Sequence, residues 1–115
     1  MNLETKNGIV SIHLEPKERL WSVHESQQID VSLDSIQSVQ IDRPKTTWKE
    51  IKAPGTYIFG FKAGTYYTER GREFWYAQKG HSCLCLDMEE GYYKRIVLGS
   101  PQAEDWCILL QSLLS

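Results

Sequence analysis

The stretch "AGTYYTERGREFWYAQKGHSCLCLDMEEGYYKRIVL", residues 63–98, decides the fold. Gly71, Gly80 and Gly91 cut it into short runs rich in aromatic and β-branched residues, which suit pleated, half-buried surfaces. The runs 63–68, 73–79, 82–88 and 92–98 read as strands, each pairing back on the one before it across a glycine turn.

The reading extends toward the N-terminus. "GIVSIHL" (8–14) alternates as a strand does and stops at Pro16. "KERLWSV" (17–23) reads as a returning strand in which Leu20 competes with Trp21 or Val23 for the core. "IDVSL" (29–33) puts Ile29, Val31 and Leu33 on one face, and "IQSVQI" (36–41) follows a bend at Asp34–Ser35. Strands this short and this closely spaced are the pattern of an antiparallel sheet. Residues 42–62 break the rhythm with Pro44 and Pro54. Trp48, Ile51, Tyr57, Ile58, Phe59 and Phe61 are too apolar for a floppy loop. The segment reads as a long ordered connection, with Thr46 or Thr47 capping one helical turn.

Toward the C-terminus the period changes. In "SPQAEDWCILLQSLLS" (100–115), Ser100 is an N-cap and Pro101 a first helical residue, and Glu104 and Asp105 suit the helix dipole. Ala103, Trp106, Cys107, Leu110, Leu113 and Leu114 recur at spacings of three and four, which predicts one amphipathic helix over about 101–114. Its apolar stripe must cover the β-structure.

With 115 residues and 41% hydrophobic content, the chain supports one domain over residues 1–115, with strands inside 8–98. No apolar run approaches the ~20 residues of a membrane-spanning helix, and the N-terminus lacks the pattern of a signal peptide. The expected location is therefore cytoplasmic. Three cysteines, Cys83, Cys85 and Cys107, form a poor disulfide framework and fit a reducing compartment. The net charge is −2, but residues 43–95 carry ten bases against six acids. A basic face built from the middle of the chain is one consequence; a surface of mixed charge is the plainer one.

The order of elements, together with "KAPGTYIFGFKAGTYYTERGREFWYAQKG" (52–80) and "IDVSLDSIQSVQID" (29–42), resembles bacterial pleckstrin-homology-like (PH-like) domains of uncharacterised families. The resemblance implies a mainly β fold: a partly open barrel of two packed antiparallel sheets, about seven or eight strands in all, capped by one C-terminal helix. It also implies a non-catalytic binding or assembly module rather than an enzyme. The loop that binds phosphoinositides in eukaryotic relatives corresponds to "LEPKER" (14–19), which lies in a net-acidic segment and does not support that site.

Gly55 and Gly60 start a P-loop spacing, but the chain continues Gly60-Phe61-Lys62. The lysine is one place late and no hydroxyl follows, so the pattern argues against phosphate binding of that kind, and Gly55, Gly60 and Gly64 read as positions of positive φ or close backbone approach. In "HSCLCLD" (81–87), His81, Cys83, Cys85 and Asp87 share one strand face. That set could hold a soft metal, although no second Cys/His pair completes a structural zinc site. His13, His24 and His81 lie on different elements, and no catalytic residue or cofactor is indicated.

Nine of the aromatics fall in residues 48–76, interleaved with lysine and arginine. Trp48, Lys52, Tyr57, Phe59, Phe61, Lys62, Arg70, Arg72 and Trp75 are accordingly the candidate binding set. A protein partner or self-association is the leading expectation. The alternative is an anionic lipid headgroup or nucleic acid held by the basic and aromatic segment 43–76. A small metal-binding protein or enzyme centred on His81, Cys83 and Cys85 is the third reading.

Overall fold

A computed structural model describes residues 1–22, 27–44 and 61–114, and residues 51–58 as strand backbone. The chain starts with a hairpin of β1 (Asn2–Lys6) and β2 (Ile9–His13). Asn7 and Gly8 both have positive φ, 53° and 77°. That is the two-residue turn whose twist matches the strands it joins. β1 lies ahead of the expected strand region, and the Asn-Gly pair is its signal.

Residues 17–22 are not the expected strand, because α1 (Pro16–Ser22) is helical there, and Val23 lies outside the described residues. Pro16 occupies the first helical position, where its missing N–H costs nothing. The Glu18 carboxylate reaches back to accept the Glu15 backbone N–H at 2.8 Å, one half of a capping box. Leu20 and Trp21 remain exposed, and Glu18 and Ser22 are the buried members.

β3 (Gln28–Ser32) then pairs with β2, completing a three-stranded antiparallel sheet in the order β1-β2-β3. A 3-10 turn at Leu33–Ser35 supplies the expected bend into β4 (Ile36–Ile41). β5 (Ile51–Ile58), β6 (Phe61–Thr68), β7 (Gly71–Ala77), β8 (Cys83–Met88) and β9 (Arg95–Gly99) follow. With β4 they form a six-stranded sheet in the order β4-β8-β9-β7-β6-β5. The protein is therefore mainly β, with two sheets and one C-terminal helix, α2 (Ala103–Leu114). The helical turn expected at Thr46 or Thr47 lies outside the described residues.

The pairing inside the large sheet differs from a simple meander. β8 does not pair with β7; it pairs with β4 and β9, and β9 runs parallel to β7. Thus β9 inserts between two strands that the chain joins directly through residues 78–82. Gly99 makes this possible. A Cβ there would stand 3.1 Å from the Ala77 Cα and 3.1 Å from the Gln78 N. Immediately beyond, the Ser100 N–H donates to the Ser82 carbonyl at 3.1 Å. β9 therefore leaves the sheet directly against the β7–β8 connection.

One core draws on both sheets and on α2. It includes Val10, Ile12 and Ile29 of the small sheet, Phe74, Leu84, Leu86, Ile96 and Leu98 of the large one, and Trp106 and Leu110 of the helix. Ser100 caps α2, its Oγ accepting the Gln102 N–H at 3.1 Å. The opposite face of the large sheet is buried as well, around Tyr66, Trp75, Ala77, Cys83, Cys85 and Val97. Burial on both faces explains why β7 to β9 read as continuous apolar runs rather than alternating ones.

Candidate interaction surface

The outer face of the large sheet carries a row of cross-strand polar partners. Register places Ser38 opposite Asp87, Asp87 opposite Arg95, and Arg95 beside Glu73. Ser38 Oγ donates to Asp87 Oδ2 at 3.2 Å, and Arg95 Nε donates to Asp87 Oδ1 at 2.7 Å. Arg70 lies 3.6 Å from Asp87 and 3.7 Å from Glu73. Buried Glu73 also accepts from Thr68 Oγ1 at 2.9 Å and from the Trp75 indole at 3.0 Å. A buried carboxylate is tolerable when its oxygens are satisfied this way.

Several residues of the candidate binding set are tied into this face. Lys62 is fully buried, its ammonium 3.8 Å over the Trp75 ring and 4.4 Å over the Tyr66 ring. Trp75 is 1% exposed, so neither residue presents an open stacking platform. The reason is register: Lys62 and Trp75 share a face of adjacent strands, and the cation settles on the ring faces. Arg70 is exposed but holds Asp87 and Glu73. Phe61 packs edge-on between Trp21 (5.9 Å) and Tyr76 (5.4 Å). Trp48 and Phe59 lie outside the described residues, as do the side chains of Lys52 and Tyr57.

The Cys/His cluster is dispersed. Cys83 and Cys85 are free, buried thiols, and burial pushes Cys85 up to about 12. A thiol so shifted is inert at neutral pH. His81 is exposed and bonded through Nδ1 to Gln78 at 2.7 Å. Among the described residues no three His, Cys, Asp or Glu side chains converge on a metal position.

Arg72 is different. Its guanidinium lies 3.8 Å over the ring of Tyr92 and 5.5 Å from that of Tyr67, and its Nη1 donates to the Tyr92 carbonyl at 2.9 Å. A side-chain hydrogen bond with Tyr67 raises the Arg72 pKa further. Tyr92 is 67% exposed and Tyr67 40%. Tyr92 in turn meets Tyr93 edge-on at 4.8 Å. The result is an ordered, solvent-facing cluster of two phenols and one guanidinium. Sequence reading found Arg72 but missed its two ring partners. Their signal was position: Tyr92 directly follows the Gly91 turn, and Tyr67 sits on β6 next to Thr68, before the Gly71 turn.

Beside this cluster, a cleft of about 210 Å³ separates β3 from the 88–93 connection. Ile29, Val31, Met88 and Tyr93 supply its apolar lining, and Asp30 and Glu90 are its acidic residues, the Asp30 carboxylate also accepting from Gln28 Nε2 at 2.7 Å. Comparison with known protein families, curated proteins and solved structures finds no match to this chain.

Proposed function

We propose that this domain is a non-catalytic interaction module that binds a protein partner through the Tyr67–Arg72–Tyr92 cluster. The observation that carries the reading is exposed tyrosine held in place by stacked arginine. Tyrosine and arginine are enriched where interfaces concentrate their energy. Rings already ordered by a guanidinium lose little conformational freedom on binding. The burial of the Cys85 thiol, which raises its pKa to about 12, and the engagement of the exposed His81 ring with Gln78 support a role without chemistry. Self-association would be the homotypic form of the same contact.

A PH-like relationship belongs to this proposal. Two sheets and a C-terminal helix support it, whereas the parallel β7–β9 pair is not part of the antiparallel plan the resemblance implies. A cytoplasmic location is proposed as well, supported by three free cysteines. No helix among the described residues is long and apolar enough to cross a membrane.

An anionic lipid headgroup or nucleic acid is the competing ligand class. Against it, Lys62 is buried on rings and Arg70 is engaged with two carboxylates. The discriminating experiment mixes the purified domain at low salt with phosphatidylserine vesicles and, separately, with a single-stranded oligonucleotide. The proposal expects no binding to either. Binding that weakens with salt and is lost in Arg72→Ala would overturn it in favour of an anionic ligand.

A further inference from the structure

Among the described residues β3 is an edge strand, and its pairing pattern fixes which backbone groups β2 leaves unused. Val10 faces Val31 and Ile12 faces Ile29. Flanking bonds run from the Leu33 N–H to the Gly8 carbonyl and from the Leu14 N–H to the Gln27 carbonyl, both 2.8 Å. In an antiparallel ladder, bonded pairs alternate with non-bonded ones. Residues 29 and 31 therefore bond to β2, and the N–H and C=O of Asp30 and Ser32, both cleft-lining residues, point away from it. The edges of β1 and β4 are partly blunted instead. Asn2 Oδ1 accepts the Leu3 N–H at 3.0 Å, and Gln111 of α2 donates to the Val39 carbonyl at 2.9 Å.

The cleft has the chemistry of a strand receptor with a preference. Ile29 and Val31 alternate with Asp30, so an added strand would set apolar side chains beside Met88 and Tyr93. Its other side chains would lie on the face of Asp30, and Glu90 stands at the cleft. Among the described residues no lysine or arginine lines it. We propose that the free edge of β3 takes up an extended segment of the protein partner as an added strand, with apolar and basic residues alternating. This rests on the protein-binding reading above and names the partner's recognition element. A second copy of β3 is a poor occupant, because it carries Asp30 and no base.

Ser32 provides a specific test. Its φ is −73°, close to the value proline imposes, so Ser32→Pro removes an outward N–H without straining the strand. The probe is an acetylated, amidated hexapeptide of alternating lysine and valine, titrated into ¹⁵N-labelled protein. Shifts should concentrate at residues 28–33 and 88–93, and the amides of Asp30 and Ser32 should gain exchange protection. Ser32→Pro should weaken binding about tenfold or more while the Val31 amide stays protected, which reports an intact β2–β3 ladder. Asp30→Lys should abolish the preference over a glutamate–valine peptide. No binding at millimolar peptide, equal binding of the two peptides, or an unaffected Ser32→Pro each overturns the proposal. Photo-crosslinking of a protein from Tyr92 that Ser32→Pro leaves unchanged also overturns strand addition, but leaves the interaction surface standing.

Discussion

At Gly99 the conformation is not the reason for glycine; space is. Three backbone atoms of β7 and its connection, the Ala77 Cα, the Gln78 N and the Tyr76 carbonyl oxygen at 3.4 Å, surround the missing Cβ. None can yield as a side chain would. Gly99→Ala should therefore cost about 1–3 kcal/mol in urea unfolding. Cys85 gives a pH prediction of definite sign. Its folded pKa is about 12, against 9.0 for the free thiol. Both states are protonated below pH 9, so its full stabilisation is present there. Above pH 9 the unfolded chain ionises first, and stability falls by up to about 1.4 kcal/mol per pH unit from this group until the folded pKa is passed. Cys85→Ala should flatten that alkaline decline in a series of denaturation curves. Neither residue was fully legible in the sequence. For Cys85 the local signal was its place between Leu84 and Leu86 on an apolar strand. The demand on Gly99 comes from a neighbour more than twenty positions away, which no local pattern encodes.

Elements were legible in proportion to how local their causes are. The C-terminal helix announced itself through its cap and its period; Ala103, Trp106, Cys107 and Leu110 are buried as expected, whereas Leu113 and Leu114, expected on the same stripe, are exposed. α1 was misread because Leu20, Trp21 and Val23 suggest a strand. The Pro16 and Glu18 capping signal outweighs them, and the exposure of Leu20 shows that no core demanded alternation there. The Asn7–Gly8 turn and β1 were missed, because strands were expected only from residue 8 onward, although an Asn-Gly pair is a local hairpin signal. α2 also has a role its amphipathic pattern does not disclose: Gln111 satisfies a carbonyl on the open edge of β4. Gln111→Ala should destabilise the fold by about 1 kcal/mol, read as an earlier urea midpoint with an unchanged slope.

For the whole molecule, composition and strand spacing were enough for a mainly β domain closed by a helix. They could not give the strand order. The insertion of β9 between β7 and β8 depends on non-local pairing, and a run that is apolar on both faces fits any interior position in a sheet. The same limit applied to the binding set. Aromatic and basic residues cluster in the sequence, but pleating sends Lys62 and Trp75 to a buried face and leaves Arg72 with Tyr67 and Tyr92 outside. The central claim is that this second group is where another protein binds. The direct measurement is photo-crosslinking in cells, with benzoylphenylalanine at position 92 and, as a control, at position 108, where Ile108 is equally exposed. The account predicts a discrete protein adduct from position 92 that Arg72→Ala diminishes and that position 108 does not give. Adducts from position 108 alone, or none from position 92, would contradict it.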